Sequence, residues 1–255
     1  MPTQDSHWSR AARSYEKDFI DPYRADVRNP LLRAVAKRAG PDRVAADLGC
    51  GIGPLLPFLA DRFAHVHAVD FAEGMLARAR ERVARRANVS FYQGNLTSLV
   101  PLYGQIDVAV AVNSLVLPDL RDLDRALVEI QRCLRPGGMF FGILPAMDGV
   151  HYYNMLLLDR ALASGKPLEA ARKNASHYGE FEFYDFGFGQ FTYEGLEQHF
   201  WQPFEVRHRF RKAGFHVEYL KKVSLSWQQF ACGHELKEFA PPWDWFFQAR
   251  PSDAP

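Results

Sequence analysis

From residue 43 the sequence alternates short β-like runs with amphipathic helical stretches, which confines the chain to a parallel sheet covered by helices on both faces. Strands are predicted at 44–48, 66–70, 89–92, 106–112 and 139–144. The fourth is almost continuously apolar, as a strand buried on both faces should be. Leu123, Leu127, Ile130 and Leu134 recur on one helical face until Arg135-Pro136-Gly137-Gly138 stops the helix. Met75, Ala79 and Val83 repeat likewise, while Arg78, Arg82, Arg85 and Arg86 lie mostly elsewhere and read as a solvated face.

After Pro145 the alternation stops. Residues 154–163 and 167–173 read as helices, and the aromatic run from Phe181 to Phe191 reads as a hairpin punctuated by Gly187 and Gly189. This stretch is expected to be an inserted lid whose aromatics line a substrate pocket or form the insertion's own small core. A helix over 203–213 follows, with Pro203 in its first turn, Gly214 at C′, and Val206, Phe210 and Ala213 on its buried face. Strands at 215–224 and 243–249 complete the pattern. The expected organisation is an N-terminal helical lid segment over 1–40, a core over 41–146 and 199–255, and a substrate-binding cap over 147–198.

Composition narrows the partners. With 47% apolar residues among 255, the chain can bury a large core without a disulfide or metal, and its net charge of +1 provides no field for gripping phosphates. Cys50, Cys133 and Cys232 are far apart and lack CxxC spacing, which reads as reduced thiols in a cytoplasmic protein. The polar start, Met1 to Arg13, shows no signal-peptide core, and no apolar run approaches the ~20 residues of a membrane helix.

The chemistry concentrates in Asp47-Leu48-Gly49-Cys50-Gly51-Ile52-Gly53-Pro54. Glycine is needed where φ must be positive or a ligand must approach the backbone, and this turn follows a parallel strand, where open α/β sheets bind ligands. A plain tight turn would look the same until Asp70 is counted. Asp70 closes the second strand about 20 residues beyond the loop, where a carboxylate can accept from both hydroxyls of an adenosine ribose. It can also cap the following helix, with Glu73 three residues on, and the two roles are compatible. Pro54 separates the ligands. A dinucleotide fingerprint starting at Gly49 needs its third glycine at position 54, whereas this loop reads G-x-G-x-G and then proline. Pro54 and Pro57 place the helix start near Gly53.

This loop, the Ala68-Val69-Asp70-Phe71-Ala72-Glu73-Gly74-Met75-Leu76 stretch and Leu134-Arg135-Pro136-Gly137-Gly138 together resemble a class I S-adenosylmethionine-dependent methyltransferase. Phe200 to Glu205 and Lys212-Ala213-Gly214-Phe215 resemble that family's late helix and sixth strand, and 147–198 is unmatched. The resemblance implies a Rossmann-like three-layer α/β sandwich with a seven-stranded sheet, order 3-2-1-4-5-7-6, strand 7 antiparallel, and a lid inserted after strand 5. It implies S-adenosyl-L-methionine as cofactor. Gly49, Cys50 and Gly51 would line its methionine part, with Asp47 a further cofactor-binding residue, Asp70 would hold the ribose, and Phe71 and Met75 would flank the adenine. Asn95-Leu96 stands where the family often has an acid that reads the adenine amino group; the Asn95 carbonyl can still accept that bond. Asn113 would meet the methionine amino group or the acceptor, and Tyr15 and Tyr23 lie in a segment that folds over the cofactor in relatives.

Methyl transfer from a sulfonium needs orientation more than covalent help, so no metal is expected. A base is needed only for an acceptor protonated at working pH, and His151 is the candidate base or substrate contact, with surface or structural duty as the alternative. Tyr23, Ser114 and Tyr152 are further substrate-contact candidates; His177, His199 and His208 rank below His151. A small-molecule methyl acceptor is favoured, with a monomer or homodimer and no membrane partner. Nucleic acid is disfavoured, although Arg207, His208, Arg209, Arg211 and Lys212 keep an RNA methyltransferase open. A non-catalytic cofactor-binding regulator also stays open, and a nicotinamide dehydrogenase ranks last because of Pro54.

Overall fold

A computed structural model describes residues 4–12, 21–176, 183–193 and 196–252. Helices α1 (Gln4–Ala11) and α2 (Leu31–Ala36) precede the alternating region β1 (Gly40–Leu48), α3 (Leu56–Ala60), β2 (Phe63–Asp70), α4 (Glu73–Arg82), β3 (Val89–Gln93), β4 (Ile106–Val112), α5 (Leu120–Cys133) and β5 (Leu134–Pro145). The inserted stretch holds α6 (Met147–Ala163), α7 (Leu168–Ser176), β6 (Phe183–Asp185), β7 (Gln190–Tyr193) and β8 (Leu196–His199). The chain ends with α8 (Pro203–Lys212), β9 (Phe215–Ser224) and β10 (Trp243–Pro251).

The main sheet has seven strands in the order β3-β2-β1-β4-β5-β10-β9. β1 to β5 pair in parallel, and β10 runs antiparallel to both neighbours, so the expected topology is present with β9 and β10 as its sixth and seventh strands. The apolar run of β4 explains the three layers. Ala109 and Ala111 pack on one face with Leu123, Leu127 and Ile130 of α5 and Val206 and Phe210 of α8. Val108 and Val110 pack on the other with Leu31 and Val35 of α2, Leu56 and Leu59 of α3, and Leu76 and Ala79 of α4. The period-two side-chain alternation of one buried strand thus supports both helical layers.

The insertion leaves and returns at one point. Ala146 and Trp201 form a parallel bridge, with the Trp201 N–H donating to Pro145 O at 2.8 Å and the Met147 N–H to Trp201 O at 3.1 Å. Trp201 is fully buried and its indole N–H donates to Leu115 O at 2.7 Å. α6 starts at Met147, well before the expected residue 154. Its first turns carry no aliphatic period because they pack on aromatics: the Asp148 carboxylate accepts from the indoles of Trp243 at 3.2 Å and Trp245 at 2.9 Å. The expected hairpin is also larger, a three-stranded antiparallel sheet completed by β8. Phe181 and Glu182 of that run lie outside the described residues.

The 225–242 connection between β9 and β10 contacts both α6 and the N-terminal segment. Its Leu236 clusters with Leu156 and Leu157 of α6. Its other side holds the N-terminal segment: the Asp21 N–H donates to Gln229 Oε1 at 2.6 Å, Arg24 to Gln228 Oε1 at 2.6 Å, and the Ser226 hydroxyl to Asp26 Oδ2 at 2.5 Å.

Candidate active site

The carboxyl ends of β1, β2 and β4 converge, and the loop after β1 is held down by its own amides. The N–H groups of Gly49 and Cys50 both donate to Val69 O of β2, at 2.7 and 2.8 Å. Gly51 donates to Asp70 Oδ2 at 2.8 Å and Gly53 to Cys50 O at 2.9 Å. Gly49 has φ +74, and a Cβ there would collide with Ser114, whose hydroxyl donates to Leu48 O at 2.6 Å. Gly51 has φ +54, yet a Cβ there would meet no atom within 4 Å. One glycine therefore lets β1 and β4 close together, and the other leaves an open cradle.

The helix after the loop starts at Leu56, later than Pro54 and Pro57 implied. Gly53 lies outside helical φ, its carbonyl accepts from Leu56 N–H at 3.2 Å, and Pro57 takes the first turn while Pro54 sits in the bend before it. Pro54 still removes the third dinucleotide glycine.

Asp47 is 3% exposed, and its Oδ2 has no hydrogen-bond partner. Burial, reinforced by the Asp70 charge, pushes its carboxyl up to about 7. The buried Cys50 thiol contacts Gly51 O at 3.6 Å and is raised well above its usual range by burial and then by Asp47 and Asp70, so it lines the site as a neutral group. Asp70 accepts from Gly51 N–H and, at 2.9 Å, from Ala72 N–H through its other oxygen. The second bond is an Asx turn before α4, and a carboxylate oxygen can accept a second donor beside it.

Asn113 ends β4 with φ 52, the one non-glycine residue at positive φ among the described residues. Its N–H donates to Ile143 O at 2.9 Å, and its side-chain Oδ1 is buried without a partner. Phe71 and Met75 cluster with Ile52 and Ala72 beneath Trp8, Ala11 and Ala12, so α1 covers them. The Gly74 N–H donates to Ser9 Oγ at 3.2 Å, which seats α1 on the start of α4. Tyr15 and His177 lie outside the described residues.

The Asn95 carbonyl, expected to read an adenine amino group, is instead engaged locally: Oδ1 accepts from the Thr97 N–H at 3.0 Å and its hydroxyl at 3.1 Å. That fills the usual two acceptor positions and leaves the Nδ2 donor as the group Asn95 can offer. Leu96 beside it is buried in the core. His151 is exposed on α6 with its ring stacked on Phe186 of the hairpin, centroids 4.5 Å apart. Tyr152 points to a brace: its hydroxyl donates to Ala240 O at 3.1 Å and its ring lies on Trp243. Tyr23 packs in part against the cluster of Val27, Val223 and Phe246.

Asp244, missed by the sequence reasoning, is 6% exposed and accepts from the Ala146 N–H at 3.3 Å. Burial pushes it up to about 7 against the hydrogen bonds from Ala146 and the Asn113 side chain. The readable signal was an acid between two tryptophans, Trp243 and Trp245, at the start of the apolar run that continues through Phe246 and Phe247.

The unfilled buried polar atoms at this edge, Asp47 Oδ2 and Asn113 Oδ1, are acceptors, while the loop's named N–H groups are spent. A pyrophosphate needs donors from such a loop; a cationic amino-acid end needs acceptors. The arrangement fits a ligand that carries an ammonium and a sulfonium. Residues 45–138 match the family profile described as a methyltransferase domain. Over that stretch the chain is similar to a methyltransferase domain.

Among curated relatives, the magnesium-protoporphyrin O-methyltransferase of Rhodobacter capsulatus is 34% identical over 131 residues, 48% of this chain and 57% of the relative. The chain spans about half the length of the curated relatives it matches. Among solved structures, an S-adenosylmethionine-dependent methyltransferase from Mesorhizobium loti aligns with a TM-score of 0.59 at 20% identity, covering 87% of this chain and 96% of that one. The cyclase SpnF aligns with a TM-score of 0.64 at 16% identity, covering 99% and 97%. At such identities the likeness shows the fold, and chemistry must be argued from the site. No described helix is long and apolar enough to cross a membrane.

Proposed function

We propose that this protein transfers a methyl group from S-adenosyl-L-methionine to a small-molecule acceptor by in-line displacement. The observation that carries this is the open Gly51 cradle at an edge whose buried, unpartnered polar atoms, led by Asp47 Oδ2, are acceptors. When bound, the cofactor supplies a methyl group activated on a sulfonium. Gly49, Cys50 and Gly51 line its methionine part, Asp47 and Asn113 accept from the ammonium, and Asp70 accepts from the ribose. Phe71, Met75, Asn95 and Leu96 bound the adenine, and Tyr15 belongs to the segment closing over it. Residues 147–198 act as a cap that excludes water and orients the acceptor, with Tyr23, Ser114, His151 and Tyr152 as its contacts. Orientation of this kind can supply about 7 to 11 kcal/mol. For a hydroxyl acceptor His151 takes the proton, its ring held by Phe186.

Two features support a small acceptor. The Rhodobacter relative is named for magnesium protoporphyrin. The basic side of α8 is largely committed: Arg209 pairs with Glu205 and with Asp124 at 2.8 Å, Lys212 pairs with Asp124 at 2.7 Å, and Arg207 contacts Val217 O.

Thermal unfolding with S-adenosylmethionine, S-adenosylhomocysteine and NAD tests the cofactor, since stabilisation follows RT ln(1 + [L]/Kd). The first two should raise the Tm and Asp70→Ala should abolish the rise; stabilisation by NAD alone overturns the proposal. A methyl-transfer screen over phenols, amines, carboxylates and tRNA then identifies the acceptor.

A further inference from the structure

Asp244 is the second residue of β10, where the antiparallel strand enters at the carboxyl end of the parallel ones, opposite Pro145 of β5 and Val223 of β9. A charged residue this buried is unusual on a sheet unless it has a task. Its surroundings are donors: the Ala146 N–H, the last amide before α6, and the side chain of Asn113. The Asn113 side chain favours the ionised form of Asp244 against burial, and because a carboxylate only accepts, it does so by turning its NH2 group toward Asp244. Its carbonyl then faces away, and that Oδ1 is the buried atom without a partner. Asn113 has little freedom to do otherwise. Its left-handed backbone is pinned to Ile143 O, and the neighbouring Ser114 hydroxyl is tied to Leu48 O beside the Gly49 loop.

We propose that Asp244 is a positioning residue that sets the polarity of the Asn113 amide, presenting its carbonyl as the acceptor for the ammonium at the cofactor's amino-acid end. The inference rests on the methyltransferase function proposed above. It assigns Asp244 a task through Asn113, without contact to the reacting atoms.

The isosteric change Asp244→Asn tests it. The new side chain keeps an oxygen for the Ala146 N–H and presents an NH2 to Asn113, so the Asn113 amide flips and offers a donor where the site had an acceptor. A purely structural carboxyl would predict unchanged ligand binding, because the variant keeps shape and removes a buried charge. Calorimetric binding of S-adenosylhomocysteine and of 5′-methylthioadenosine, which lacks the amino-acid end, separates the cases. Asp244→Asn should weaken S-adenosylhomocysteine at least about tenfold, leave 5′-methylthioadenosine within about twofold, and keep or raise the Tm. In an Asn113→Ala background the same change should add no further loss. Equal weakening of both ligands, or wild-type affinity for S-adenosylhomocysteine, overturns the proposal. Absence of S-adenosylhomocysteine binding by the wild type would instead overturn the cofactor assignment itself, and this inference with it.

Discussion

The two glycines that open and line the loop should respond differently to the same added methyl group. Both have positive φ, so alanine at either costs about 1–2 kcal/mol of left-handed strain, offset by about 0.4–1 kcal/mol from a less disordered unfolded chain. At Gly49 the Cβ also drives into Ser114, with the Ser114 hydroxyl oxygen 2.9 Å away and that hydroxyl fixed to Leu48 O. Overpacking of this kind adds about 1–3 kcal/mol. At Gly51 nothing lies within 4 Å, so strain is the whole stability cost. Urea unfolding without cofactor should therefore find Gly49→Ala less stable than Gly51→Ala by about 1–3 kcal/mol, with the denaturant slope unchanged. Binding reverses the order of interest. The Gly51→Ala methyl enters the cradle, and the same about 1–3 kcal/mol, now charged to the complex, weakens S-adenosylhomocysteine by about 5- to 150-fold. If Gly51→Ala is as destabilised as Gly49→Ala, or binds S-adenosylhomocysteine within about twofold of wild type, the assignment of the open space to the ligand is wrong.

Burial lifts Asp47 from 3.8 to about 7, so the folded protein holds that proton more tightly than the unfolded chain does. Its contribution is full below about pH 4 and lost as pH rises through about 7, about 4 kcal/mol in all, so Asp47→Asn should gain stability relative to wild type across that window. Parallel urea-derived stability curves for the two proteins would refute this. Gly74→Ala would place a methyl 2.6 Å from Ser9 O, and is expected to release α1 without unfolding the core. Limited proteolysis should then cut before residue 21 faster while the Tm changes by only a few degrees; unchanged cleavage counts against α1 docking there. His151→Gln should remove one limb of the pH profile of kcat/KM for a hydroxyl acceptor and leave S-adenosylhomocysteine affinity within about twofold. An intact limb would return His151 to its stacking role on Phe186.

The sheet was legible because burial imprints a period on local sequence. Ile106 to Val112 announces a strand covered on both sides, Leu123 to Ile130 announces the helix that covers one of them, and glycine and proline mark where each element stops. The seven-strand order came from the resemblance those motifs carry, and the glycine-rich loop with Asp70 pointed to the ligand edge. Less was legible where no period exists. The opening turns of α6 face Trp243 and Trp245 through Asp148, so they lack the aliphatic spacing that marks a helix. β8 and the 225–242 connection are held by partners distant in the chain, His199 by Val116 O and Gln229 by Asp21.

The site divides in the same way. Which residues stand at the ends of β1, β2 and β4 follows from the sequence alone, since strand ends are fixed by local pattern and turn chemistry. Which of their polar atoms are spent and which are left over follows only from the folded chain. The amides of Gly49 and Cys50 go to Val69 O, the Asn95 carbonyl goes to Thr97, and Asp244 arrives from the far end of the chain beside Asn113. Hydrogen-bond partners are chosen by distance in space, so the acceptors left for a ligand, Asp47 Oδ2 and Asn113 Oδ1, are a property of the tertiary structure.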